Sequence, residues 1–301
     1  MPANMESIAH MFLKKKKNRN GWQAAGRTAI LQPEELLYSG KTDAGRYRPA
    51  RSDRQNGEIM TRIFYTVNAG LYLTSGQTAL LIDGIHEGPV NGFSGMPAVL
   101  SEQLLYGYGV FAHLDGLLFT HLHPDHYDAD KVNRMLDTRS GLALWGPGLS
   151  SRGISEYRET SSGCTFRIGD FRIFAYPTVH SGVPFREEPH RSLLIRNETT
   201  DEAFLISGDA VFSPELADTV NENAGGPGSV TAAFINVYHL IEEPSRAFLL
   251  RLAPARLFLY HRPLPEDDTC NYLFMIRTTL EKKPLPGYDI AQPAQMNWIR
   301  L

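Results

Sequence analysis

His121-Leu122-His123-Pro124-Asp125-His126 is the stretch on which the reading of this chain turns. Four of its six residues can ligate a transition metal. It follows the apolar run Leu114–Thr120, which reads as a buried strand. It precedes Tyr127-Asp128-Ala129-Asp130, where a helical pattern begins with Val132, Met135 and Leu136 on one face. The cluster is therefore expected on a tight loop between strand and helix, where a rigid strand end aims several side chains at one point. A lone loop His is usually a surface residue. Three His and one Asp within six residues, in a chain with ten His, point instead to a metal site. Imidazole and carboxylate suit zinc, and also manganese or iron.

Working outward, other ligand-type residues fall just past apolar runs. Phe64–Leu73 and Thr78–Ile82 read as two strands joined across Ser75-Gly76, the second ending in Asp83. A strand at Leu142–Trp145 follows the helix. Phe166–Ile173 alternates around a Gly169-Asp170 turn and leads to Thr178-Val179-His180. Ser192–Arg196 and Ala203–Ile206 form a further hairpin ending in Ser207-Gly208-Asp209. Strands at Ala232–Val237 and Arg256–Tyr260 flank a helix from about Pro244 to Leu252, and the second strand ends at His261. A last helix runs from about Asp268 to Lys282. Hairpins first, then strands alternating with helices, imply an α/β protein with two mixed sheets covered by helices. Sites in such proteins collect at strand ends.

Asp83, the His121–His126 cluster, His180, Asp209 and His261 thus form an ordered set. It exceeds what one tetrahedral ion needs. It supplies two ions, each with three protein ligands and room for solvent.

That ordered set resembles the metallo-β-lactamase-fold superfamily of dinuclear metal-dependent hydrolases. The matching pieces are Asp83, His121-x-His123-x-Asp125-His126, His180 in Thr-Val-His-Ser-Gly, Asp209 in Ser-Gly-Asp, and His261. The likeness spans roughly residues 60–265. It implies a four-layer αβ/βα sandwich, with two mixed β-sheets flanked by helices. It also implies that His121, His123 and His180 hold a first divalent ion and Asp125, His126 and His261 a second. Asp209 would bridge the two, with Asp83 orienting the metal loop by hydrogen bonds. His-Leu-His-Pro-Asp-His-Tyr-Asp and Ser-Gly-Asp-Ala-Val-Phe-Ser-Pro are most similar to members acting on phosphoesters or lactones. The secreted β-lactamases use Cys where this chain has Asp209.

The implied chemistry is hydrolysis of a small ester, lactone or phosphodiester by a metal-bridging hydroxide. Asp125, Asp209 and His239 are the catalytic candidates. Asp209 would return a proton to the leaving group. His239, two residues past the Ala232–Val237 strand, would donate to the developing oxyanion, with Tyr238, Tyr127 and Arg262 as alternatives. His86, His190 and Tyr238 are the candidates for substrate contact. His10 and His113 have no such support and are expected to be structural or at the surface.

Length and charge bound the rest. The 301 residues fit one large domain or two small ones. Residues 1–58 carry eleven Lys and Arg against six Asp and Glu, net +5, including the run Lys14–Lys17. They read as a basic, partly ordered extension, in which Pro33–Leu37 could open a short helix, ahead of a metallo-hydrolase domain at 59–301. That domain is net −8, nineteen basic against twenty-seven acidic residues. An acidic body argues against a nucleic-acid substrate, so a nuclease ranks second and a small-molecule substrate first. An iron-dependent redox or oxygenase member ranks third, because such members commonly lack part of the second ligand set. A metal-stabilised binding protein without turnover ranks fourth. A homo-oligomer stays open. No apolar run approaches the roughly 20 residues that cross a bilayer, and no signal peptide is evident. Cys164 and Cys270 form no Cys-x-x-Cys pair, so a cytoplasmic setting is expected.

Overall fold

A computed structural model describes residues 54–55, 58–86 and 88–301. The lysine run, Pro33–Leu37 and His10 lie outside the described residues, so their expected roles have no counterpart here.

The first sheet is built from β1 (Arg62–Tyr65), β2 (Leu71–Ser75), β3 (Thr78–Ile82), β4 (Gly116–Leu118) and β5 (Ala143–Trp145). The second takes β6 (Ser155–Thr160), β7 (Gly163–Ile168), β8 (Phe171–Pro177), β9 (Arg191–Asn197), β10 (Ala203–Ile206), β11 (Ala232–Ile235), β12 (Leu257–Leu259) and β13 (Ile290–Ala291). A last strand, β14 (Asn297–Ile299), returns to the first sheet and pairs antiparallel with β1. The six-stranded sheet has the order β14-β1-β2-β3-β4-β5, and the eight-stranded sheet β13-β12-β11-β10-β9-β8-β7-β6. Both are mixed. β3, β4 and β5 run parallel, as do β10, β11, β12 and β13.

The layering follows from strand alternation, since successive side chains point to opposite faces. On β2 and β3, Leu71, Leu73, Leu80 and Ile82 point to the second sheet and meet Phe166, Ile173, Ile195 and Phe204. Tyr72, Ala79 and Leu81 point the other way, onto α1 (Ala98–Tyr106) and α2 (Ala129–Thr138). The outer face of the second sheet is covered by α3 (Leu216–Ala224), α4 (Tyr238–Ile241), α5 (Glu243–Leu252) and α6 (Tyr272–Lys282). Strands buried on both faces read as continuous apolar runs. The result is the four-layer sandwich of two mixed sheets flanked by helices. No helix among the described residues is long and apolar enough to cross a membrane.

Two local readings need correction. Phe64–Leu73 is not one strand. The chain reverses between β1 and β2, with Thr66 N–H donating to the Gly70 carbonyl at 2.9 Å and Asn68 in the left-handed region at φ 56°. Gly70 is required there, because an added Cβ would lie 2.0 Å from Thr66 Oγ1. The last helix starts at Tyr272, not Asp268. The Asp268 carboxylate accepts from the Tyr272 and Leu273 N–H groups, satisfying donors at the helix start. As expected, α2 buries Val132 and Met135, and Asp128 caps it by accepting from Lys131 N–H at 3.0 Å.

Candidate metal centre

Every ligand-type residue sits past the C-terminal end of a parallel strand or beside one. Asp83 follows β3, His121 follows β4, Asp209 follows β10 and His261 follows β12. His180 is held in a short antiparallel pair, Val179–His180 with Ala210–Val211, which ties it to the segment after Asp209. Asp83 and His261 both take left-handed backbone, at φ 49° and 53°. Such conformations cost energy in non-glycine residues and persist where the surroundings impose them.

Asp83 organises the loop. Its carboxylate accepts from Thr120 N–H at 2.8 Å and from the Thr120 hydroxyl at 2.7 Å, and lies 3.1 Å from His126 Nδ1. The loop itself is a tight turn, with the His126 and Tyr127 N–H groups both donating to the His123 carbonyl. Asn68, at the β1–β2 reversal, donates to the Asp125 carbonyl at 2.8 Å. The broken strand thus serves to hold the loop.

The potential ligand atoms gather as His121, His123 and His180, and as Asp125, His126 and His261. Within each trio they lie within 4.8 Å of one another. A third grouping, His121, His126 and Asp209, joins the two. Asp209 stands between them, with Oδ2 3.6 Å from His180 Nε2 and Oδ1 3.4 Å from His261 Nε2. The side chains that the resemblance named thus lie together, with Asp209 beside both groups.

The residues fit metal ions on tautomer grounds. The Thr120 hydroxyl donates to Asp83, so the His121 Nδ1 that faces it at 3.1 Å carries a proton. His180 Nδ1 faces the Ser181 carbonyl at 2.5 Å and is likewise protonated. Each ring then turns a bare Nε2 lone pair inward, and both Nε2 atoms are buried without a hydrogen-bond partner among the described residues. His126 Nε2 and His261 Nε2 face each other at 2.9 Å, where one proton at most fits between two imidazoles. Burial, then the neighbouring rings, holds His121 well below its ordinary pKa; burial and His180 lower His123. Both are neutral, as ligation requires. For His126, burial works to lower the pKa, but the Asp125, Asp83 and Asp209 carboxylates outweigh it and raise it to about 9. Burial opposes ionisation of Asp125 and Asp209, yet the His126 and His261 rings hold both carboxyls below the usual range. The second trio therefore attracts positive charge.

Of the residues expected to touch substrate, Tyr238 stands within electrostatic reach of Asp209. Burial first, then the nearby Asp209 carboxylate, pushes its hydroxyl up to about 12, and its ring meets Tyr272 edge-on at 6.2 Å. Tyr272 in turn contacts Phe93, which packs on His261 at 4.5 Å. His190 does not fit a substrate contact. It is buried behind Asp209, with Nε2 accepting from Asp209 N–H at 3.0 Å and Nδ1 facing Thr178 Oγ1 at 2.7 Å. His86 is fully buried and lines a cavity of about 150 Å³ between α1 and α2, with Leu104, Lys131 and Met135. His239 is also fully buried. Its Nδ1 lies 3.0 Å from Asn236 Oδ1 and its ring packs on Phe212. His113 pairs with Asp115 at 2.7 Å and is half-buried, apart from the ligand trios.

Two residues were missed. Asn236, directly after β11, donates from Nδ2 to Asp209 Oδ1 and to the Gly208 carbonyl, both at 3.1 Å. Its side-chain oxygen Oδ1 accepts from Tyr238 N–H at 2.9 Å. It links His239 to the Asp209 carboxylate, and its place at a strand end is the signal that could have found it. Asn236→Ala is expected to weaken metal binding by roughly 10–100-fold, the usual effect of losing a partner of a ligand, with the fold intact. Chelator competition measures this. The second is Tyr260, whose hydroxyl oxygen accepts from Gly208 N–H at 2.9 Å.

His239 also shapes acid stability. Burial lowers its pKa to about 4. The folded state therefore keeps the ring neutral where the unfolded chain, near 6.5, protonates. The stability is present in full above pH 6.5 and is lost as pH falls toward 4, by roughly 3 kcal/mol at about 1.4 kcal/mol per unit. In metal-free protein, His239→Gln is expected to show a shallower loss of urea stability across that window. Parallel curves for variant and parent would contradict the assignment.

No family model matches the sequence. Protein Rv0786c of Mycobacterium tuberculosis is 23% identical over 186 residues, spanning 56% of this chain and 86% of that protein. Among solved structures, a possible metal-dependent hydrolase from Veillonella parvula superposes with a TM-score of 0.56 at 14% identity, covering 81% of this chain and all of the other. CmlA, a diiron β-hydroxylase from Streptomyces venezuelae, superposes with a TM-score of 0.50 at 16% identity, covering 81% of this chain and 55% of CmlA. With two mixed sheets, helices on both outer faces and the His/Asp centre at the strand ends, the chain has the metallo-β-lactamase fold.

Proposed function

We propose that the chain is a metal-dependent hydrolase with a two-ion centre that cleaves a small ester, lactone or phosphodiester. The observation that carries this reading is the pair of separate trios with the Asp209 carboxylate between them. Bound there, two divalent ions would make a water acidic enough to attack at neutral pH and would polarise the substrate oxygen. His121, His123 and His180 would hold one ion, Asp125, His126 and His261 the other, and Asp209 both.

This chain's own residues do the rest. Asn236 and the backbone contact to His190 fix Asp209 from two sides, so its carboxylate can orient the attacking water and pass a proton to the leaving group. Tyr238, protonated at neutral pH, can donate to the oxyanion. His239 acts through Asn236, as a positioning residue. Phe93 and Tyr272 shield the second trio from bulk water. The catalytic domain we propose spans residues 59–301, which hold every residue named in this reading.

Zinc, manganese and iron all suit the donor set. The fold shared with a diiron hydroxylase makes an oxygen-handling iron enzyme the second reading. The test is turnover by metal-loaded protein on a panel of phosphodiesters, lactones, carboxylic esters and thioesters. Hydrolysis of one class, lost on chelation, supports the proposal. Metal-loaded protein that cleaves none of them but consumes oxygen with a reductant would favour the second reading.

A further inference from the structure

The segment after His180 carries a surface feature that metal binding does not use. Gly182, in the left-handed region at φ 86°, turns the chain into a single 3-10 turn, Val183–Phe185. Phe185 lies against two ligand rings, 5.0 Å from His123 and 5.3 Å from His180, yet 43% of it is exposed. Val183 is 68% exposed. A residue serving only to cover the ligands would not need a second, solvent-facing apolar neighbour. Large apolar side chains exposed together beside a site mark a ligand contact.

Arg186, next to Phe185, is near enough to Glu242, which follows α4, to pull its carboxyl down against the rise that burial causes. Tyr238 on α4 is near both Glu242 and Asp209. Arg186 beside Phe185 is thus within electrostatic reach of Glu242, and Tyr238 within that of both Glu242 and Asp209.

We infer that Val183 and Phe185 form a subsite for the apolar acyl or aryl group of the substrate. This rests on the two-ion hydrolase reading and narrows it to an ester or lactone with a hydrophobic chain, rather than a polar phosphodiester. The reacting carbonyl lies at the trios, Tyr238 faces its oxygen, and the chain lies along Phe185.

The test measures binding and needs no turnover. Zinc-loaded full-length protein is titrated calorimetrically with straight-chain hydroxamic acids of increasing length. Their head groups ligate zinc, and their tails extend the series. Affinity is expected to rise roughly threefold per added methylene over the first several, the scale for burying a CH₂. In Val183→Ser/Phe185→Ser the whole series should span less than about twofold. Val183→Ser alone, at an exposed position, guards against misfolding of the double variant and should give an intermediate slope. Leu250→Ser, at an exposed position on α5, should keep the full slope. A flat series in the parent, or an unchanged slope in the Val183 and Phe185 variants, overturns the subsite. Failure of the hydrolase reading would appear separately, as absent turnover in the ester and lactone panel, and leaves this series readable.

Discussion

Asp209→Ala is expected to lower turnover by roughly 10⁴-fold, the scale for removing one member of a unit whose parts act together. The argument is positional. Asp209 reaches His180 of one trio at 3.6 Å and His261 of the other at 3.4 Å, so its carboxylate is in contact with both. Its loss also strands Asn236 Nδ2, whose remaining acceptor is the Gly208 carbonyl. Both ions should bind more weakly, whereas His261→Ala should weaken mainly the second. Turnover is read in the hydrolase panel and metal affinity by chelator competition. An Asp209→Ala protein with both affinities unchanged would show that the carboxylate is not shared.

Gly208→Ala should be the most damaging small substitution at the site. Gly208 has φ 58°, a conformation that disfavours any Cβ. The new atom would lie 2.6 Å from His190 Nε2 and 2.7 Å from Thr120 Oγ1. Neither can retreat, because His190 is pinned between Asp209 N–H and Thr178, and Thr120 is tied to Asp83. A destabilisation of about 3 kcal/mol is expected from strain and overpacking together. Because the backbone must shift next to Asp209, metal affinity should fall as well. Thermal unfolding of the apo protein and chelator competition together check this. A variant as stable as the parent would mean that the tight Gly208 contacts relax freely.

The centre was readable in the sequence to the extent that chemistry and strand ends coincide. His121, His123, Asp125 and His126 are dense enough to identify themselves. Asp83, His180, Asp209 and His261 follow apolar runs, and a parallel strand delivers the residue after it to one edge of the sheet. The same rule does not say which way a side chain turns once past the strand. The rule therefore puts His190 and His86 within reach of substrate, whereas His190 packs behind Asp209 and His86 lines a cavity between helices. Asn236 went unseen because an amide carries no metal-ligand signature, though it occupies the same kind of position. The β1–β2 reversal was hidden because Val67 and Ala69 are as buried as the strands they join. β6 was hidden for the opposite reason. All six of its residues are exposed, so no alternation marks it, and it is held by pairing with β7 and by the Glu156–Arg172 ion pair to β8.

The central claim, one chain holding two ions through a shared Asp209, is tested most directly by metal stoichiometry. Purified protein is stripped, reloaded with excess divalent metal, freed of unbound ion and analysed for metal and protein content. The account predicts two ions per chain, falling toward one in His261→Ala. A parent protein that saturates at one ion per chain would contradict it.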